Sequence, residues 1–258
     1  MIAELVIPSG GAYFEGHFPG RPILPGILEL KLIVDVLQRE LEITAPLQKI
    51  VFTRFRQLVL PGDRLAISAR RLPNEHIRVE AMRDDVAVAQ SELVFGQTLA
   101  SDEPKRSKPA LPSPTIGQIA IGDLLPHHPP MRFITSILDE QREGVICDGC
   151  IPSACALSVE GNAPAFAALE AGAQAAAIWE ALRHRSHGGA PQPTVGYLVS
   201  LRDVDLFSQR VPSDEMFVVS AKLIAAAPPL THYQVEVVLG AKQILSGKIA
   251  TFLTRQTL

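Results

Sequence analysis

The stretch FEGHFPGRPILPGILEL, residues 14–30, places one histidine, His17, between two aromatic rings and carries three prolines and three glycines. So many prolines and glycines in a short run predict a rigid loop. A histidine has an ordinary pKa of ~6.5 and is largely neutral near pH 7, so a fixed imidazole can take up and return a proton. Proton transfer is therefore the chemistry that we first consider for this loop.

A second polar group stands on an apolar run. In LEAGAQAAA, residues 169–177, Glu170 and Gln174 are one helical turn apart and share a face. A helix acid often simply faces solvent, but the surrounding alanines and leucine indicate a largely buried segment. A buried carboxyl group favours a functional role over a solvated one.

The composition is that of a globular protein. The chain has 258 residues, of which 47% are hydrophobic and 20% charged, and its net charge is -3. This charge gives no sign of a nucleic-acid-binding protein. The most apolar long run, residues 163–182, contains two glutamates and a glutamine and is too polar for a membrane span. With no signal peptide and three cysteines that cannot all pair, we expect a cytoplasmic protein.

The chain divides into two similar halves. Residues 99–117, LASDEPKRSKPALPSPTIG, have the composition of a solvated linker between residues 1–98 and 118–258. Each half is predicted to contain a strand, an apolar helix started by proline, and several further strands. This order predicts an α+β repeat in which each sheet wraps its helix and the halves pair about a pseudo-two-fold axis.

The helix starts at Pro25 and Pro164 bring the halves into register, with the first helix ending near Gln38. Each half then holds a different part of the polar set: one keeps the histidine and the other the acid. The paired positions are His17 with Ala156, Lys31 with Glu170, and Asp35 with Gln174.

Several motifs resemble those of the β-hydroxyacyl-acyl-carrier-protein dehydratases of fatty-acid synthesis. They are GHFPGRPILPG and RFRQLVLPGD in the first half, and LLPHHPPMRF and LEAGAQAAA in the second. The resemblance implies a tandem double hotdog: two strongly curved antiparallel sheets, each around a central helix, forming a pseudo-dimer within one chain. The distribution of the motifs also resembles the split dehydratase pairs of aryl-polyene pathways, here fused.

In that family one hotdog supplies the histidine and its partner supplies an acid from the central helix. The resemblance thus implies one composite site of His17 and Glu170, and an inactive opposite position at Lys31 and Ala156. It also implies that the second ring nitrogen of His17 donates to a carbonyl near Ile23. We interpret Lys31 and Asp35 as an ion pair at the inactive position.

The implied reaction is dehydration of a 3-hydroxyacyl thioester on an acyl-carrier protein to the trans-2-enoyl thioester, with no cofactor and no metal. His17 would act as the base. Whether His17 alone shuttles the proton in both directions stays open. Glu170 would act as the acid, and burial is expected to raise its pKa. Gln174 could orient Glu170 or a water. The backbone N–H of Gly26, at a helix N-terminus, would face the developing negative charge.

Other residues carry weaker signals. A basic patch for docking an acidic carrier is predicted at four arginines, although surface arginines are often merely solvated; these are Arg54, Arg56, Arg70 and Arg71. CDGC, residues 147–150, has C-x-x-C spacing but no second pair, so we interpret it as structural. His127 and His128 lie in LLPHHPPMRF, which resembles a segment of the family, but the resemblance assigns them no catalytic role. His184 and His187 are predicted to be exposed.

Two alternatives to the dehydratase stay open. A non-catalytic hotdog could bind acyl chains or act as a scaffold, although it would need neither His17 nor Glu170. A thioesterase on the same fold would release a free acid instead of a 2-enoyl thioester. Association of double hotdogs into a homo-oligomer is also possible.

Overall fold

The computed structural model describes residues 1–99, 120–186 and 195–254. Within them, helices α1 and α2 span Gly26–Glu40 and Leu169–Ser186. In the first half, strands β1 to β5 are Ala3–Val6, Leu47–Phe55, Arg64–Arg71, Ile77–Arg83 and Val86–Phe95. In the second half, strands β6 to β13 are Ile134–Gln141, Gly144–Gly149, Asn162–Pro164, Val195–Leu206, Arg210–Pro212, Phe217–Ala227, Leu230–Leu239 and Lys242–Thr254.

Eleven strands form one antiparallel sheet, in the order β1-β3-β4-β5-β2-β9-β13-β12-β11-β7-β6, and β8 pairs separately with β10. The order from β1 to β2 in the first half is repeated from β7 to β9 in the second, with β6 added at the edge. The equivalent strands β2 and β9 pair with each other at the centre. Lys49 Nζ donates to Asp205 Oδ1 at 2.8 Å across this junction. The two halves therefore share one continuous sheet.

Both helices are buried, and the apolar or small side chains in their sequences explain why. Helix α1 follows Pro25 and buries eight of its fifteen residues, most of them Ile, Leu or Val. Helix α2 is rich in alanine, a strong helix former whose small side chain lets the sheet approach closely. At Gly172 a Cβ atom would lie 2.5 Å from a side-chain carbon of Val235, so only glycine allows this helix-to-strand distance.

The elements differ from the sequence prediction in the start of the second helix and in three strands, β6, β8 and β10, that were not predicted. The second helix begins at Leu169 rather than at Pro164, because residues 162–164 form strand β8 and the Ala165 N–H donates to the Gln209 carbonyl. A 3₁₀ turn at Ala165–Ala168 connects the two. Apart from Leu99, the predicted linker lies outside the described residues, so the boundaries 1–98 and 118–258 stay predictions.

Among the described helices, none is long and apolar enough to cross a bilayer.

Candidate active site

His17 is held in its loop by backbone and side-chain hydrogen bonds. The Ile23 N–H donates to the His17 carbonyl at 3.0 Å, and Nδ1 of the imidazole lies 2.9 Å from the Ile23 carbonyl oxygen. Because a carbonyl only accepts, Nδ1 carries the hydrogen and Nε2 presents its lone pair. The Phe18 ring stacks on the imidazole with centroids 4.0 Å apart. The hydrogen bond to Ile23 that the family resemblance implies is therefore present.

Glu170 lies in the first turn of α2 and is held by Gln174, which is completely buried. The Gln174 side-chain oxygen accepts from the Phe133 N–H at 2.8 Å, which fixes the amide orientation. Its Nε2 group must then be the donor, to the Met131 carbonyl at 2.7 Å and to Glu170 Oε1 at 3.1 Å. Gln174 thus orients Glu170 by offering it an N–H.

His127 is the site residue to which the sequence assigned no role. Its Nε2 lies 3.3 Å from Glu170 Oε1, and its ring centroid is 5.3 Å from that of His17. Nδ1 of His127 is buried and has no hydrogen-bond partner among the described residues. An unpartnered nitrogen is less costly as a lone pair than as an N–H, so Nε2 carries the hydrogen and donates to Glu170. In the sequence, the motif LLPHHPPMRF was the feature that could have indicated a role for His127.

Gly16 brings this segment against the His17 loop. Its φ is +81°, and a Cβ atom there would lie 2.1 Å from the His128 carbonyl oxygen. In the other direction, the His128 N–H donates to the Gly16 carbonyl at 3.0 Å. Only glycine permits this contact between the halves, and the contact places His127 beside His17.

The structure therefore brings His17, His127 and Glu170 together. One imidazole nitrogen of each histidine and one carboxylate oxygen of Glu170 all lie within 4.8 Å of one another. Burial, followed by the nearby His127, lowers the pKa of His17 to about 4. Burial alone would raise the pKa of Glu170, but hydrogen bonds and charges from His127, His17 and Gln174 together lower it. The expectation of a raised Glu170 pKa is thus wrong. At neutral pH the site holds a neutral His17 and a Glu170 carboxylate.

A cavity of about 50 Å³ lies beside these groups and is also lined by Gly26, Glu29 and Tyr197. The Gly26 N–H is in the first turn of α1, where the helix itself provides no acceptor. A Cβ atom at Gly26 would lie 3.1 Å from the Phe55 ring. The helix N-terminus thus faces the cavity that contains His17 and Glu170.

A larger cavity, about 470 Å³, lies at the opposite pseudo-site and is lined by Lys31, Asp35 and Leu157. Lys31 Nζ and Asp35 Oδ2 are 2.5 Å apart, which confirms the predicted ion pair. The backbone position equivalent to Gly26 is Ala165, whose N–H is occupied by the Gln209 carbonyl. This cavity lacks a counterpart of His17, of Glu170 and of the available Gly26 N–H, so its larger volume does not make it the better candidate site.

The remaining predicted residues lie outside the cluster. All four candidate docking arginines are exposed; Arg56 donates to Gln90, and Arg71 pairs with Glu75 at 3.2 Å. His184 is exposed as predicted, and His187 lies outside the described residues.

The three cysteines are free in the structure. Burial raises the pKa of the Cys147 thiol to about 12 and also raises the pKa of the Cys150 thiol. Thiols that stay protonated are poor nucleophiles and poor metal ligands, which favours the structural interpretation of CDGC. Among the described residues, His17, His127 and Glu170 are the group whose ligand atoms are close enough to hold a divalent cation.

Two family models match the chain. The ApeP-like model, described as ApeP dehydratase, matches residues 119–257, and the ApeI-like model, described as ApeI dehydratase, matches residues 1–92. The first match alone covers more than half of the chain. The chain belongs to the ApeP-like dehydratases. With the ApeI-like match in its first half, it resembles a fused ApeI and ApeP pair.

Individual relatives agree with this assignment. The 3-hydroxyacyl-[acyl-carrier-protein] dehydratase FabZ of Pediococcus pentosaceus is 34% identical over 106 residues, covering 37% of this chain and 71% of that protein. The corresponding FabZ of Pelotomaculum thermopropionicum is 32% identical over 103 residues, covering 37% and 68%. The chain is therefore a hydro-lyase of the dehydratase class that acts on 3-hydroxyacyl thioesters.

Solved structures confirm the predicted double hotdog over the whole chain. The dehydratase domain of PpsC from Mycobacterium tuberculosis, in complex with C12:1-CoA, matches with a TM-score of 0.68 at 13% identity, covering 97% of this chain and 92% of that one. A putative thioesterase from Novosphingobium aromaticivorans matches with a TM-score of 0.56 at 15% identity, covering 97% and 94%. Identities this low establish the fold and leave the chemistry to the site.

Proposed function

We propose that the chain dehydrates a 3-hydroxyacyl thioester carried on an acyl-carrier protein to the trans-2-enoyl thioester, at a single composite site of His17 and Glu170. The observation that carries this proposal is the convergence of a neutral imidazole from one half and a carboxylate from the other. The same cavity contains the N-terminus of α1 at Gly26. The opposite pseudo-site, with Lys31 and Ala156, is inactive.

His17 is the base, because its Nε2 lone pair is available. It takes the α-proton, and the electrons of the C–H bond form the enolate of the thioester. The enolate oxygen is stabilised by the Gly26 N–H and the positive end of the helix dipole. As the C2–C3 double bond forms, the C3–O bond breaks and His17 returns its proton to the leaving oxygen, which departs as water. The protein ends in the protonation state in which it began.

Glu170 acts in this scheme as a carboxylate rather than as the acid. Its Oε1 accepts from His127 and Gln174, which are both donors and so favour the ionised form. The carboxylate accepts a hydrogen bond from the substrate 3-hydroxyl group and orients it toward His17. Its negative charge also stabilises the imidazolium that forms on His17. His17 therefore shuttles the proton in both directions.

The carrier would dock near the cavity mouth. Arg54 and Arg56 flank Phe55, which lines the active cavity, whereas Arg70 and Arg71 end strand β3, three positions from β2 in the sheet. We therefore favour Arg54 and Arg56 as contacts for an acidic carrier.

The decisive experiment incubates the purified chain with a 3-hydroxyacyl-carrier protein and follows loss of water by mass spectrometry. His17→Ala and Glu170→Ala should each reduce the rate by roughly 10²–10⁴-fold. A mixture of the two variants should stay inactive, because each chain assembles its own site. Recovery of activity on mixing would contradict an intramolecular site. Release of a free acid would indicate a thioesterase, and no turnover at any chain length would favour the acyl-binding alternative.

The same assay with EDTA tests whether the His17, His127 and Glu170 cluster works through a cation. Unchanged activity supports the acid–base scheme, and loss that Zn²⁺ restores would overturn it.

A further inference from the structure

One buried acid in the active cavity has no part in the scheme above. Glu29 lies one turn into α1, is 2% exposed and lines the same cavity as His17 and Glu170. Its Oε1 has no hydrogen-bond partner within the described part of the chain. Burial raises the pKa of Glu29 to about 8, and the positive charge of Arg83 opposes this shift. Arg83 itself bonds to the Asp63 carboxylate and to the Leu58 carbonyl.

The fold does not require an acid at this position. In the register of Pro25 with Pro164, Glu29 aligns with Ala168, which is fully buried in the other half. The equivalent place in a pseudo-symmetric partner is thus occupied by a methyl group. A buried carboxyl group with an unpaired oxygen atom is unfavourable for folding, so its presence in this half points to a ligand.

The position of Glu29 indicates which part of a substrate it meets. Gln57 and Leu58 line the cavity and are exposed, so the cavity opens to the surface there. The thioester arm must run from the reacting carbons out to the carrier at that opening. Glu29 is buried, as His17 and Glu170 are, so it meets the acyl part of the substrate and not the carrier.

We propose that the Glu29 carboxyl group is a specificity-determining group that hydrogen-bonds an oxygen atom on the acyl chain, so that oxygenated chains are preferred over plain hydrocarbon chains. This inference rests on the proposed function. A hydrocarbon chain would exclude water from Glu29 and leave the carboxyl group unpaired. Sites built to bind a substrate hydroxyl reject analogues that lack it far more strongly than apolar pockets reject a missing methylene group.

The test is a competition between two substrates on the same carrier protein. The 3-hydroxyacyl chains have equal length and end in a methyl or a hydroxyl group, and several lengths are compared. Mass spectrometry of the mixed products gives the ratio of the two kcat/KM values. This ratio does not depend on the fraction of enzyme that is folded, so a poorly folded variant remains informative.

For the native chain we expect a preference of at least about tenfold for the hydroxylated substrate at one or more lengths. Glu29→Leu should abolish or reverse the preference, and Glu29→Gln, whose amide donates and accepts, should keep most of it. Asp35→Leu, on the same helix but in the opposite cavity, is the matched control and should leave the ratio unchanged.

The inference is overturned if the native chain shows no preference, or if Glu29→Leu slows both substrates equally. An equal effect would place Glu29 against a part that the two substrates share, or give it a structural role. Failure of the native chain to dehydrate either substrate would instead contradict the proposed function itself.

Discussion

Replacement of His127 tests whether Glu170 works as a carboxylate. His127→Leu removes the N–H that lies 3.3 Å from Glu170 Oε1 and keeps an apolar side chain in a site that is only 5% exposed. A hydrogen bond to a charged group contributes about 1.5–3 kcal/mol. The 3.3 Å distance is longer than usual for a charge-assisted bond, so we take the lower part of that range, about 1.5–2 kcal/mol. Only the part of this free energy that stabilises the transition state more than the ground state affects kcat. Since each 1.36 kcal/mol is tenfold in rate, we expect kcat to fall by at most roughly 10- to 30-fold.

The assay is steady-state dehydration as a function of pH for three variants. His127→Gln restores an N–H donor and should stay near native activity. His128→Leu, an exposed neighbour, is the matched control. In His127→Leu the Glu170 pKa rises because a donor to the carboxylate is lost, so the acid limb of the rate profile should move to higher pH. Equal activity of the His127→Leu and His128→Leu variants, or an acid limb moved to lower pH, would refute the carboxylate role.

Four further predictions follow from the same contacts. Burial lowers the pKa of His17 from 6.5 to about 4, so between these pH values the unfolded chain binds more protons than the folded one. The free energy of unfolding should therefore fall by about 3 kcal/mol from pH 6.5 to pH 4. Urea titrations should show a smaller fall for His17→Gln. Gln174→Leu leaves the Met131 carbonyl and Phe133 N–H unpaired and should cost roughly 2–4 kcal/mol in denaturant unfolding. Gly16→Ala should lower both the melting temperature and activity through its contact with His128, whereas Gly11→Ala, at a similar positive φ but in open space, should only lower stability slightly. Lys31→Ala should keep activity within about twofold and lower the free energy of unfolding by less than about 1 kcal/mol, since it breaks a partly exposed ion pair at the pseudo-site that we propose to be inactive.

Much of this protein could be predicted from local sequence. Prolines and glycines around His17 indicated a rigid loop, since these residues restrict or free the backbone within a few positions. The apolar runs after Pro25 and Pro164 indicated two buried helices, and their register paired Lys31 with Glu170. Together with the family resemblance, that pairing implied that one half supplies the histidine and the other the acid before any contact between them was known.

The protonation of the site depended on contacts distant in sequence. Burial alone predicted a raised Glu170 pKa, but His127 is 43 residues away in the chain and becomes its donor only when the Gly16 loop meets the 127–128 segment. The late start of α2 likewise arises because the Ala165 N–H finds the Gln209 carbonyl.

The sequence by itself determined the repeat and the two helices, because periodicity, turn chemistry and spacing are local properties. The family resemblance implied which residue types form the proposed composite site. Tertiary structure alone decided that the pKa of Glu170 is lowered, that His127 lies beside Glu170 and that Glu29 is buried without a hydrogen-bond partner at Oε1 among the described residues. The physical reason is that ionisation and hydrogen bonding depend on which groups surround an atom in space. In this fold those groups come from both halves of the chain.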